Sequence, residues 1–95
     1  MTVISVLHLR ARAGVDLASA FAEFEIFEHS RQSGGFLGGR LLRALDGDGY
    51  LVVAEWEDAK AYQGWLDNPE RADVGAHLEP LLLEDVASGE LFEEV

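Results

Sequence analysis

Residues 36–57 read FLGGRLLRALDGDGYLVVAEWE. Two strand-forming runs, Phe36 to Leu45 and Tyr50 to Glu57, flank Asp46-Gly47-Asp48-Gly49. The glycines of that turn accept positive φ, so the stretch predicts a β-hairpin. In the second run Tyr50, Val52, Ala54 and Trp56 alternate against Leu51 and Val53. In the first run, Leu37, Leu41 and Leu45 oppose Phe36 and Leu42. Both faces of the hairpin are apolar, and both therefore ask for burial.

Upstream, Val3, Ser5, Leu7, Leu9 and Ala11 alternate with Ile4, Val6, His8, Arg10 and Arg12, a first strand within Thr2 to Arg12 that Gly14 punctuates. Asp16 can cap the next segment. Leu17, Ala20, Phe21, Phe24 and Phe27 then recur at helical spacing, predicting one amphipathic helix of about 15–18 residues, closed by Ser33-Gly34-Gly35. Downstream, Asp58 opens a short helix through Ala61, Tyr62, Trp65 and Leu66. Asn68-Pro69-Glu70 starts another, which runs to about His77. Pro80 breaks the pattern, Leu81-Leu82-Leu83 reads as a buried connection, and Ser88-Gly89 precedes a last strand, Glu90 to Glu94. The order β-α-β-β-α-β is the ferredoxin-like pattern of an α+β fold with an antiparallel sheet. Helices cover one face of such a sheet. The apolar character of the other face predicts a homodimer in which two sheets pack about a two-fold axis.

Composition narrows the function. The 95 residues fit a single domain over 1–95, and 48% hydrophobic residues suffice for a core. The net charge of −11 leaves no basic surface to displace phosphate counterions or dock on anionic lipid, so nucleic acid and membrane partners are not expected. Five arginines against four acids give residues 1–45 a charge of +1; Lys60 and Arg71 against fourteen acids give residues 46–95 a charge of −12. Cysteine is absent, which removes disulfides and thiolate chemistry. The start MTVISVLHLRAR lacks the order of a signal peptide, so a cytoplasmic location is expected. The three histidines have no ligand spacing such as H-x-x-x-H, and no E-x-x-H occurs, so no protein-held metal is expected.

Gly35-Phe36-Leu37-Gly38, then Val53-Ala54-Glu55-Trp56-Glu57-Asp58 running into Ala61-Tyr62-Gln63-Gly64-Trp65-Leu66, resembles the antibiotic biosynthesis monooxygenase family of the dimeric α+β barrel superfamily. The resemblance spans nearly the whole chain. One branch holds cofactor-free oxygenases that turn polycyclic phenols or anthrones into quinones, the electron-rich substrate reducing dioxygen directly. Likeness to that branch implies a small hydrophobic aromatic ligand and no cofactor. Trp56 and Tyr62 fall on aromatic positions of its pocket, and Val52 stands where some members carry Asn. His77 lies within one position of a helical Arg of that branch and suits phenolic proton transfer near neutral pH. A second branch degrades haem with a strand-one Asn, a Trp and a His nine or ten residues beyond it. Here Trp65 matches the Trp, Leu7 stands for the Asn, and Val74 and Gly75 occupy the His positions. Other proteins of this fold have no established chemistry, so a non-enzymatic ligand-binding or stress-related domain is the alternative.

These readings imply His77 and Tyr62 as catalytic residues, with Trp56, Trp65, Phe24, Arg31 and Glu28 as substrate contacts. Each also has a plainer reading. The two Trp and Tyr62 suit core packing, and His77 suits a helix end. On one continuous helix Glu28 returns to within about 20° of Leu17. Glu28 and Arg31 would then flank a pocket mouth, where Arg31 attracts an anionic substrate, or form an exposed pair.

Overall fold

A computed structural model describes residues 2–47, 49–84 and 89–95. The elements are β1 (Val3–Arg10), α1 (Leu17–Glu23), α2 (Ile26–Gln32), β2 (Phe36–Arg43), β3 (Gly49–Trp56), α3 (Ala59–Leu66), α4 (Pro69–Leu78), a 3-10 turn (Glu79–Leu81) and β4 (Glu90–Glu93). The sheet runs β2-β3-β1-β4 with every pair antiparallel, and the architecture is the expected α+β ferredoxin-like fold. Asp48 of the hairpin turn and Ser88 before the last strand lie outside the described residues. Among the described residues no helix is long and apolar enough to cross a membrane.

The single long helix is replaced by two of seven residues each. Phe24 closes α1, and Glu25 takes a left-handed conformation (φ 50°, ψ 46°). Packing explains the break. In a continuous helix Phe21 and Ile26 would point about 140° apart; the elbow turns both into the core, with Leu17 and Ala20 before them and Ser30 after. Glu28 consequently loses the phase expected of it and is exposed. Asp16 caps α1, its carboxylate accepting from the N–H groups of Ala18 and Ser19 and from the Ser19 hydroxyl. The Ser19 hydroxyl, then the Ser19 N–H, hold its carboxyl below the ordinary value of 3.8.

β2 also departs from simple alternation. Phe36 pairs with Trp56 and Gly38 with the next residue, Glu55, so Leu37 is an inserted bulge residue, 51% exposed. The bulge shifts the phase by one. Phe36 and Leu41, expected on opposite faces, both pack on the helix side. Gly35, at φ 74°, joins α2 to this strand; its carbonyl accepts the Glu57 N–H at 2.8 Å, and a side chain there would strike Ala61.

The helices cover the sheet face bearing Val3, Leu9, Ala54 and Trp56, all buried. On the opposite face the cross-strand pairs Val6–Val53, Ile4–Phe92 and Leu42–Leu51 form an apolar field. Of the leucine connection, Leu82 is buried and bridges Ala11, Leu81 is half-buried and Leu83 is exposed.

Candidate functional site

A cavity of about 280 Å³ lies between the helices and the sheet face they cover. Its floor is Ser5, Leu7 and Leu9 of β1 with Val52, Ala54 and Trp56 of β3. Phe21, Ile26, Phe27 and Ser30 form one wall, and α3 and α4 supply Tyr62, Trp65, Arg71, Ala72, Val74, Gly75, Ala76 and Leu78. Glu79 at the end of α4 and Phe36 of β2 complete the lining.

Local structure places each aromatic group. Strand alternation turns Trp56 inward, where it is 2% exposed. Asp58 then caps α3, its carboxylate accepting the Ala61 N–H at 2.8 Å. That fixes the start of α3, so Tyr62 and Trp65, three apart on one helix, both turn back onto the end of β3. Trp56 meets Tyr62 edge-on with ring centroids 5.5 Å apart, and Phe36 at 5.2 Å. Gly39 lets Phe27 approach the sheet, since a β-carbon on it would sit 2.5 Å from the Phe27 ring. Two hydroxyls among these rings are anchored from within. The Trp56 indole N–H donates to Ser5 Oγ at 3.0 Å, and the Gly89 N–H donates to the Tyr62 oxygen at 2.7 Å.

The expected site residues divide into three sets. Trp56, Tyr62 and Trp65 line the cavity together. Phe24 and His77 do not; they line a separate groove with Glu23, Glu25, His29, Glu70, Asp73 and Val74, their rings 5.0 Å apart. His77 Nδ1–H donates to the Asp73 carbonyl at 2.8 Å, and His29 pairs with Glu70 at 3.1 Å. Glu28 and Arg31 line neither space. Arg31 lies with its guanidinium carbon 5.7 Å from the Phe36 ring centroid, and Glu28 is exposed because the elbow rephases α2. His8 is on the open sheet face, 3.8 Å from Glu90. Among the described residues no three His, Asp or Glu side chains gather as a metal-ligand set. Ser5, Arg71 and Glu79 also line the cavity without belonging to any motif of the sequence, and Gly75 is marked there only as standing at a haem-branch histidine position. Of the first three, Ser5 alone left a readable mark there, a polar residue within the alternation Val3, Ser5, Leu7, Leu9.

The structure of SnoaB, a cofactor-independent oxygenase from Streptomyces nogalater, superposes with a TM-score of 0.76 at 27% identity, covering 99% of this chain and 93% of that one. A structure from Bordetella bronchiseptica shares the fold with a TM-score of 0.84 at 13% identity, covering 99% and 97%. In sequence, a mycobilin-producing haem oxygenase of Mycobacterium tuberculosis is 37% identical over 76 residues, which is 78% of this chain and 70% of that protein. Residues 3–76, from the first inward residue of β1 to the cavity-lining stretch of α4, match the family model described as antibiotic biosynthesis monooxygenase. The chain belongs to the antibiotic biosynthesis monooxygenase family.

Proposed function

We propose that the protein is a cofactor-independent oxygenase of a planar aromatic phenol or anthrone, working as a homodimer. The observation that carries this reading is an apolar cavity walled by Trp56, Tyr62, Trp65, Phe27 and Phe36, with anchored hydroxyls among the rings. Such a lining suits a flat ring system with few polar groups. The 27% identity to SnoaB supports the same chemistry. For an anthrone the balance is simple. The ionised substrate supplies four electrons to dioxygen; one oxygen atom becomes the new ring carbonyl, and the other leaves as water with the two methylene hydrogens.

The chain's own part is to bind, orient and exclude water. Trp56 and Trp65 hold the ring plane, and Tyr62 offers its proton to a substrate oxygen. The proton-acceptor role expected of His77 moves to Glu79, because His77 lines the other groove while Glu79 is the carboxylate lining the cavity. The dimer reading rests on the apolar field of the open sheet face.

An oxygen electrode with 1,8-dihydroxyanthrone tests the proposal. Expected are oxygen uptake above the buffer rate, quinone formation, and at least about a tenfold loss in Trp65→Ala. Glu79→Gln slows turnover more than His77→Ala does. A bound anthrone that never consumes oxygen above the buffer rate would establish a non-enzymatic binding domain instead.

A second reading, with haem as the substrate, is favoured by the 37% identity to the mycobacterial haem oxygenase. The residues here fit it poorly, since among the described residues no histidine lines the cavity, and Leu7 and Gly75 belong to its lining. Titration with micromolar haem decides: saturable binding with a shifted Soret band establishes this reading, and a featureless titration removes it.

A further inference from the structure

Ser5 is the polar exception among the inward residues of β1 and is only 6% exposed. Burying a hydroxyl among apolar groups is unfavourable unless it is hydrogen-bonded. Ser5 meets that demand halfway. Its Oγ accepts the Trp56 indole N–H at 3.0 Å, and because an indole N–H only donates, this bond occupies an oxygen lone pair and leaves the Ser5 proton unspent. Among the described residues no acceptor takes that proton, while Ser5 itself lines the cavity.

We propose that the Ser5 hydroxyl donates a hydrogen bond to a carbonyl or phenolate oxygen of the bound ring system and so selects which edge of the ring faces Trp56. The proposal rests on the reading of the cavity as an aromatic-ligand site and goes beyond it by naming the atom recognised. The Trp56 indole orients the donor: with one lone pair engaged by the N–H, the Ser5 rotor is confined and its proton is turned toward the remaining space. The ligand class follows from the bonding. A donor without an acceptor calls for an acceptor, so an oxygen-bearing ring fits better than its hydrocarbon, and an ionised oxygen makes the stronger bond. A serine serving only the indole would not discriminate between such ligands.

Fluorenone and fluorene, planar tricycles that differ in one carbonyl oxygen, provide the test by equilibrium dialysis. The wild-type protein is expected to bind fluorenone more tightly. Ser5→Ala should weaken fluorenone about fivefold to tenfold with fluorene within twofold, and Ser5→Thr, which keeps the hydroxyl, should restore the preference. An unchanged fluorenone affinity in Ser5→Ala, or an equal fall for both ligands, overturns the assignment of Ser5 while leaving the cavity reading intact. A wild-type protein that binds neither tricycle overturns both. If Ser5→Ala does not fold because the indole N–H is stranded, the double variant Ser5→Ala, Trp56→Phe removes both polar atoms, and the same ratio decides.

Discussion

Gly75 is the seventh residue of the ten-residue helix α4, where glycine costs about 0.5–1 kcal/mol relative to alanine. A β-carbon on it would meet nothing within 4 Å, and the residue lines the cavity. Neither close packing nor an unusual backbone explains this glycine; the space left open by the absent side chain does. Gly75→Ala is therefore expected to raise stability by about 0.5–1 kcal/mol, seen as a melting point several degrees higher. Gly75→Leu should fold equally well yet bind fluorenone at least about tenfold more weakly, because the side chain fills the cavity. Undiminished binding in Gly75→Leu would place the ligand elsewhere. At this scale the sequence was partly legible. Trp56 and Tyr62 could be grouped through the family resemblance, and helical spacing set Trp65 beside Tyr62; all three line the cavity. Ser5 stands out in the sequence only as a polar break in the alternation of β1, and its place in the cavity, like that of Gly75, shows only once the space beside it is known.

At the scale of elements, the α1–α2 elbow turns on one residue. Glu25 holds φ 50°, a conformation that disfavours a residue with a β-carbon by about 1 kcal/mol. Its backbone N–H and carbonyl nonetheless serve both helices, donating to Ala22 and accepting from His29. Glu25→Gly is expected to leave the elbow intact and raise stability by up to about 1 kcal/mol in urea titration. A loss of stability would show instead that the glutamate side chain holds the elbow. The sequence concealed this break because Leu17, Ala20, Phe21, Phe24 and Phe27 keep helical spacing straight through it, and Glu25 lacks the signal a glycine or proline would give. The Leu37 bulge was hidden for a similar reason. Alternation cannot register an inserted residue until the neighbouring strand is paired with it. Segments with explicit punctuation fared better: α3 and α4 start at Asp58 and Asn68-Pro69 as expected, and the Asp58 and Asn68 side chains cap them.

The molecule as a whole joins an acidic chain to an apolar sheet face. Val53 lies opposite both Val6 and Arg40 within that face. Val53→Asp is expected to convert the proposed dimer to a monomer in sedimentation equilibrium, with the melting point of the monomer little changed. Since each copy carries −11, raising the salt should tighten association by screening like charges. A dimer that loosens with salt would mean that Arg10 or Arg40 pairs with carboxylates of the partner.

The sheet order leaves β2 and β4 as its two borders. One is interrupted by the Leu37 bulge and carries Arg40 and Arg43; the other has four residues, two of them Glu90 and Glu93. An interrupted or short, charged border is a poor template for a strand from another molecule. In the proposed dimer the apolar face would thus serve one defined encounter, while such rims disfavour open-ended, fibril-like growth.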